Sequence, residues 1–421
     1  MRAFVTDGDE RPALAITRSL GRRGISVLVG ECRPACLASA SRYCAGHVTY
    51  PSPYRHPEAF RRFLLDFVRR ERVDVVLPVT DVTTLSVCLD QERLGRHVGL
   101  AAPPAAAFDL MTNKWTALQA AARCGIPIPR THFVGGGGEL PRIAGEVEYP
   151  AVVKPVRSKV PTSRGWVSAG VHYAASPSDL GRLYEQTDYL ASYPSLIQER
   201  ISGPGLALFA LFDRGELLTA FAHRRLREKP PSGGVSVLCE SVPADPRLVG
   251  DAERLLGPLA WHGVAMLEYK QDAATGRCFL LEVNGRFWGS LQLAVDAGVD
   301  FPYLSYQLAL GKRPSVPRAY RVGTRNRWLL GDLDHLRSRL FPGRHPPELS
   351  PSRWRSLIAF LAGCRPGVGD QVLSADDPGP FRYELGRYAS DAWASAARKT
   401  RRRPDRAPFR ALPFARSSTT S

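Results

Sequence analysis

Apolar positions along this chain recur with two periods, and the switches between them mark out its elements. Residues 3–6 form a short β-type run that Asp7-Gly8-Asp9 breaks. Residues 12–23 carry apolar side chains at helical spacing, with Pro12 in the first turn and Gly24 at the end. A strand at 25–29 follows, so the opening reads β-α-β and predicts a parallel, doubly wound sheet. A helix at 57–72, a buried strand at 73–78 and a helix after Asp81 continue it. Next comes a helix over 109–123, ended by Gly125, and a buried strand at 151–153 that closes on Lys154. A short helix at 178–186, a strand at 195–201, and a hairpin of 206–212 with 216–223 turning at Asp213-Arg214-Gly215 are then predicted. An amphipathic helix over 246–261 precedes the most informative pattern of all. Two apolar runs, 264–270 and 278–283, flank a Thr275-Gly276 turn signal within 271–277. A helix at 291–297, stopped by Gly298, and a segment at 300–310 end the compact region.

That late hairpin carries the candidate chemistry. If it is symmetric about Thr275, Glu268 faces Glu282 with Cβ atoms roughly 5 Å apart. Facing like charges destabilise a strand pair unless something positive sits between them. Asn284 lies two residues after Glu282, on the same face of the strand. Two carboxylates and an amide oxygen form a hard, oxygen-only set that suits Mg²⁺, with Mn²⁺ as an alternative. Arg286, two residues further, is placed to hold an anion beside the metal. Carboxylates merely facing solvent are the plain alternative. The apolar flanks (Met266, Phe279, Leu280, Leu281, Val283) argue against it, because they place the acids on a buried sheet.

Other candidates are weaker when taken singly. Lys154 ends a buried strand and needs a nearby anion, such as a nucleotide phosphate. Residues 158–170, with Ser, Gly, Lys159 and Arg164, suit a loop over phosphates. The run His223-Arg224-Arg225-Leu226-Arg227-Glu228-Lys229 before Gly233-Gly234 is either a solvated edge or a binder of phosphate or carboxylate, with Arg225 the preferred member. Asp81 and Thr83, just past the carboxyl end of a strand, either contact substrate or serve the next helix, with Asp81 as its cap. Lys114, in a helix, reads by itself as a surface residue.

The series Met266-Leu267-Glu268, a turn, then Leu280-Leu281-Glu282-Val283-Asn284-Gly285-Arg286-Phe287-Trp288-Gly289-Ser290 resembles the metal-binding end of the ATP-grasp superfamily. The nearest likeness is to carbamoyl-phosphate-synthase-like carboxylate–amine ligases. The resemblance implies an α/β chain: a doubly wound N-terminal domain (1–108), a two-subdomain ATP-grasp α+β fold (109–195 and 196–316) and a helical C-terminal extension (317–396). It implies ATP as bound nucleotide, with Lys114 and Lys154 on its phosphates and the main chain of Glu199, Arg200 and Ile201 on the adenine edge. Glu268, Glu282 and Asn284 would hold Mg²⁺, and Arg286 and Arg225 would be catalytic. The implied reaction joins a small carboxylate to an amine through an acyl phosphate. Two departures stand out. Val160, Pro161 and Trp166 occupy a loop that is richer in glycine in many relatives, and no acid follows Glu199 over 203–207 to take the ribose. A carboxylating enzyme or kinase of the same superfamily, or a nucleotide-binding module without turnover, are the alternatives.

Composition changes this picture little. The 421 residues suffice for two to four packed units. No apolar run approaches the roughly 18 residues of a membrane span, and Met1–Asp9 is too acidic for a signal peptide, so a cytoplasmic location is expected. The net charge of +17 is partly local to an Arg-rich tail at 397–421, expected to be disordered, and no module for specific nucleic-acid recognition is present. Eight cysteines are scattered; Cys32, Cys36, Cys44 and His47 have no usual zinc spacing. GxGxxG is absent, and Gly135–Gly138 lacks the Lys-Ser/Thr of a P-loop and reads as a surface linker. The identity of the acid and amine is not legible, and a homodimer is left open.

Overall fold

A computed structural model describes residues 1–135, 139–162, 165–168, 170–231, 233–341 and 352–401. The N-terminal strands form a five-stranded parallel sheet in the order Cys44–Thr49, Ser26–Glu31, Arg2–Val5, Val75–Leu77, Gly99–Leu100. A second, antiparallel sheet has four strands: His172–Ala174, Ala151–Pro155, Ser195–Glu199 and Thr131–Val134. The third has seven, in the order Cys278–Asn284, Gly263–Gln271, Gly205–Asp213, Glu216–Lys229, Val235–Val242, Arg325–Arg327, Val368–Asp370.

The cores explain how these sheets relate. One buried cluster runs from Val5 and Leu14 through Phe209 to Trp288 and Phe301; another joins Phe4 and Phe60 to Phe212 and Leu267. The parallel and seven-stranded sheets are therefore packed as one mass. The four-stranded sheet has its own small core around Val153, Leu180 and Ile197. Its coupling to the rest is correspondingly weaker, since burial of apolar area is what ties elements together.

Several expectations are corrected in detail. The helix expected over 109–123 is two helices, Ala105–Thr112 and Lys114–Arg123. They break at Asn113, whose side-chain oxygen accepts from the N–H groups of Trp115 and Thr116 at 3.0 and 3.4 Å, a better use of an Asn than a mid-helix position. The described backbone of the expected phosphate loop is a ribbon, Lys159–Thr162 paired antiparallel with Gly165–Ser168; Ser163 and Arg164 lie outside the described residues, as do Gly136, Gly137 and Gly138 of the glycine run and the tail from 402. The basic run after His223 is only partly a solvated edge: Arg224 and Leu226 are exposed, while Arg225 and Arg227 are half-buried. It continues a strand to Lys229 that pairs with Val235–Val242 throughout but with Gly205–Asp213 only as far as Arg224, and Arg225, Arg227 and Lys229 are held by ion pairs to Glu268, Asp332 and Asp334.

The C-terminal part is helical (Leu329–Leu340, Arg353–Ala362, Gly379–Arg401) but also adds two short strands to the large sheet. It is pinned to the first helix, Arg11–Gly21, by a buried ion pair of Arg18 with Asp377 at 2.9 Å. Asp377 also accepts from Ser41 Oγ at 2.6 Å and the Arg42 N–H at 2.8 Å, so its charge is well compensated. Among the described residues no helix is long and apolar enough to cross a membrane.

Candidate functional site

The late hairpin pairs Glu268 with Glu282, but it is not symmetric. Beyond that pair Tyr269 faces Leu280, so Leu281 is an extra, bulged residue. The bulge has a consequence: the Leu281 carbonyl accepts a hydrogen bond from Lys154 Nζ at 3.2 Å. That brings a lysine from the four-stranded sheet against the acids of the large one.

Each carboxylate has its own cation. Lys114 Nζ lies 3.0 Å from Glu282 Oε2 and donates to Ser158 Oγ at 2.7 Å. Arg225 is paired with Glu268 and with Glu228, the latter at 3.1 Å. Asn284 stands between the acids, its Nδ2 at 3.2 Å from an oxygen of each. Burial pushes the pKa of Glu282 up, but Lys114 and Lys154 outweigh it and hold the group well below the usual range. Glu268 moves the other way: burial raises it, and Glu282 adds to that against the pull of Arg225. Glu282 is thus the firm anion of the pair. Burial brings the Lys154 ammonium down to about 8, with Lys114 adding to the shift and Glu282 opposing it.

These groups line a cleft of about 770 Å³ between the four-stranded and seven-stranded sheets, a volume within the usual range for a small-molecule site. Lys154, Glu199, Arg200, Ile201, Arg225, Glu268, Glu282 and Arg286 all border it. Lys114 and Asn284 sit beside it, on a small adjoining pocket of about 40 Å³ with Asp81.

Residues 192–330 match the family described as ATP-grasp in the biosynthetic pathway with Ter operon. The fold is similar to that of biotin carboxylase from Campylobacter jejuni (14% identity, 77% of this chain and 74% of that one, TM-score 0.61). This chain carries the ATP-grasp fold. It is also similar to an N5-carboxyaminoimidazole ribonucleotide synthetase (13% identity, 77% and 79% covered, TM-score 0.59) and to an L-amino acid ligase from Bacillus licheniformis (19%, 73% and 74%, TM-score 0.54). No curated protein matches the chain.

Within the ATP-grasp site some residues stand where the sequence suggested and others do not. Asp81 is not the helix cap. Thr80 is, in a reciprocal box with Thr83, while Asp81 receives Arg286 Nε at 3.1 Å. Burial works against the Arg286 charge, but Asp81 outweighs it and the pKa is raised. Thr83 is fully buried, donating to Asp7 at 2.6 Å, and cannot touch substrate. The Glu199 carboxylate accepts the Arg130 N–H at 2.9 Å, so it holds the neighbouring strand.

The donor set passes a fit test for Mg²⁺ in one respect and needs an adjustment in another. Among the described residues no three His, Cys, Asp or Glu side chains are grouped to hold a metal. Two carboxylates with an amide are what this chain offers, and Mg²⁺ commonly takes one or two carboxylates and completes its shell with water and phosphate oxygens. The Asn284 amide must turn to present its oxygen, which now lies 3.5 Å from Arg286; O and N of an amide are assigned from such contacts. Sequence reasoning missed Arg11, His335 and Arg339 on the cleft wall; Arg227, a member of the candidate basic run, lies there too.

Proposed function

We propose that this chain is an ATP- and Mg²⁺-dependent ligase joining a carboxylate to an amine. The observation that carries the reading is the facing pair Glu268–Glu282 with Asn284, set at the end of a nucleotide-sized cleft and backed by Lys114 and Lys154. The adenine edge would lie along the main chain of Glu199, Arg200 and Ile201, and the phosphates toward Lys154. Glu268, Glu282 and Asn284 would hold Mg²⁺, or Mn²⁺, which would supply positive charge to neutralise the nucleotide's phosphates. Lys154 would add its charge as the γ-phosphoryl group passes to the substrate carboxylate, giving an acyl phosphate and ADP. Arg286, fixed by Asp81, would hold the acyl phosphate; Arg225 would orient the acid. The amine nitrogen then attacks the carbonyl carbon, phosphate leaves, and the nitrogen gives up a proton to form the amide. The L-amino acid ligase among the similar structures supports this reading; the carboxylases among them support a second, with bicarbonate as the acid. A homodimer is proposed on the likeness to a biotin carboxylase domain described as a dimer.

The test is ADP release with a panel of amino acids and small carboxylates, each with and without amine donors and bicarbonate. Hydroxylamine should trap a hydroxamate from the acid. Tight ATP binding with no turnover on any pair would mark a binding module, and release that requires bicarbonate would mark a carboxylating enzyme.

A further inference from the structure

The C-terminal extension gives the cleft wall a side chain that can accept a proton. His335 lies on the helix Leu329–Leu340 and borders the cleft. Its Nδ1 is 2.6 Å from the Glu228 carbonyl oxygen. A carbonyl has no hydrogen to give, so Nδ1 carries one and donates it. In the neutral ring the lone pair is then on Nε2. Burial pushes the His335 pKa down, and Arg339 and Arg227 add to that against the Glu228 carbonyl and Asp332, so the ring is neutral at pH 7. Nε2 makes no hydrogen bond among the described residues and, unlike Nε2 of His223, is not enclosed by protein. The ring is firmly placed. Arg227 Nε donates to Asp332 at 2.6 Å and Lys229 pairs with Asp334, so ion pairs lay the helix along the strand Glu216–Lys229 on either side of Glu228. Glu228 also gives its carboxylate to Arg225 at 3.1 Å, and Arg225 is paired with Glu268. One Glu and one guanidinium thus link the ring to a metal acid, a path of no more than about 17 Å by covalent and hydrogen-bond lengths. A phosphoryl group, an acyl carbon and an amine nitrogen can stand in series along it.

Among the described residues, the other cleft-lining groups that could take a proton are engaged. Glu199 accepts the Arg130 N–H, Glu228 is paired with Arg225, and Glu268 and Glu282 stand as the metal acids. Lys154 Nζ donates to the Leu281 carbonyl. His223 is 1% exposed, with Nε2 enclosed and Nδ1 3.3 Å from Ser290 Oγ. Resting on the ligase reading above, we propose that His335 Nε2 is the base that accepts a proton from the amine substrate. An amine of ordinary pKa reaches the cleft mostly as an ammonium, without a lone pair. One proton passes from its nitrogen to Nε2, giving an imidazolium. The freed pair forms the C–N bond to the acyl carbon. The C–O bond to phosphate breaks, its electrons leave on phosphate, and phosphate takes the second proton from nitrogen. The imidazolium then returns its proton to water, a step that Arg227 and Arg339 favour by disfavouring a further positive charge. The C-terminal extension thereby takes part in the chemistry, with Glu228 tying its base to the metal hairpin.

The experiment compares two nucleophiles, using the acid and the amine that the ADP-release panel selects. Hydroxylamine is unprotonated at neutral pH and attacks an acyl phosphate without a base, whereas the amine arrives protonated. His335→Asn keeps a donor for the Glu228 carbonyl and removes the Nε2 lone pair. It should lower amide formation about 10²–10⁴-fold, the usual worth of a positioned base, and leave hydroxamate formation unchanged. Added imidazole should restore part of the amide rate. An equal loss in both reactions marks a structural role and overturns the proposal, as does an unchanged amide rate. A reading that needs neither turnover nor a variant comes from ¹⁵N NMR of the wild-type histidines. At pH 7 His335 should be the Nδ1–H tautomer, and an Nε2–H or doubly protonated ring overturns the assignment. Absence of any hydroxamate in the wild type removes the ligase reading, and the proposal with it; hydroxamate formation with a His335-independent amide rate removes the proposal alone.

Discussion

Replacing Lys154 by Met separates stability from nucleotide binding. In the folded chain this lysine titrates at about 8 instead of 10.5, chiefly because it is buried. That gap corresponds to roughly 3 kcal/mol of folding free energy. The sign follows from proton binding. Between pH 8 and 10.5 the unfolded chain holds a proton that the folded chain has lost, so wild-type stability rises with pH across this window and is lower by the full amount below it. Met keeps most of the apolar stem and removes the charge, so the variant lacks this slope. Part of the gain is offset near neutrality, because the Leu281 carbonyl loses its donor and Glu282 loses a cation; a net change within about 2 kcal/mol of zero at pH 7 is expected. The assay is urea unfolding of both proteins from pH 7 to 10.5. Wild type should gain roughly 3 kcal/mol relative to Lys154→Met, and a difference that stays flat would refute the burial argument. The nucleotide gives the complementary reading: phosphate beside Lys154 favours its charged form, so ATP binding near pH 8.5 should take up a fraction of a proton, seen by calorimetry in buffers of different ionisation enthalpy. Lys154→Met should lose both the uptake and at least tenfold in ATP affinity.

Three further outcomes are expected. Glu282→Gln should lower ADP release by about 10³-fold or more while the fold persists. Because the Glu282 pKa is depressed, the variant should also lose the stability that wild type shows above the ordinary glutamate range and gives up on acidification, checked by acid titration of near-UV circular dichroism. Asp377→Ala leaves Arg18 buried and unpaired, and should cost about 3–5 kcal/mol in urea unfolding. Gly203→Ala forces a side chain onto a backbone at φ +148°, with the new Cβ driven into the Gln271 carbonyl; a loss of roughly 2–3 kcal/mol is expected, and wild-type melting would contradict the observed path between the four-stranded and seven-stranded sheets.

The register that sets Glu268 against Glu282 was legible because period-two patterning and a turn signal define a hairpin locally. The same holds for the parallel opening sheet and for Lys154 at the end of its buried strand, since each depends on residues within one or two elements. Other features depend on what lies on the far side of a packed interface. The Leu281 bulge that receives Lys154, the Lys114–Glu282 pair and the Asp81–Arg286 pair all join segments far apart in the chain. Nothing in the local pattern separates a cleft arginine such as Arg11 or Arg339 from a solvated one. By itself the sequence determined which strands form and which acids face each other, because alternation and turn chemistry are local. The tertiary structure decided which cations neutralise those acids, because charge compensation depends on distance in space and on burial.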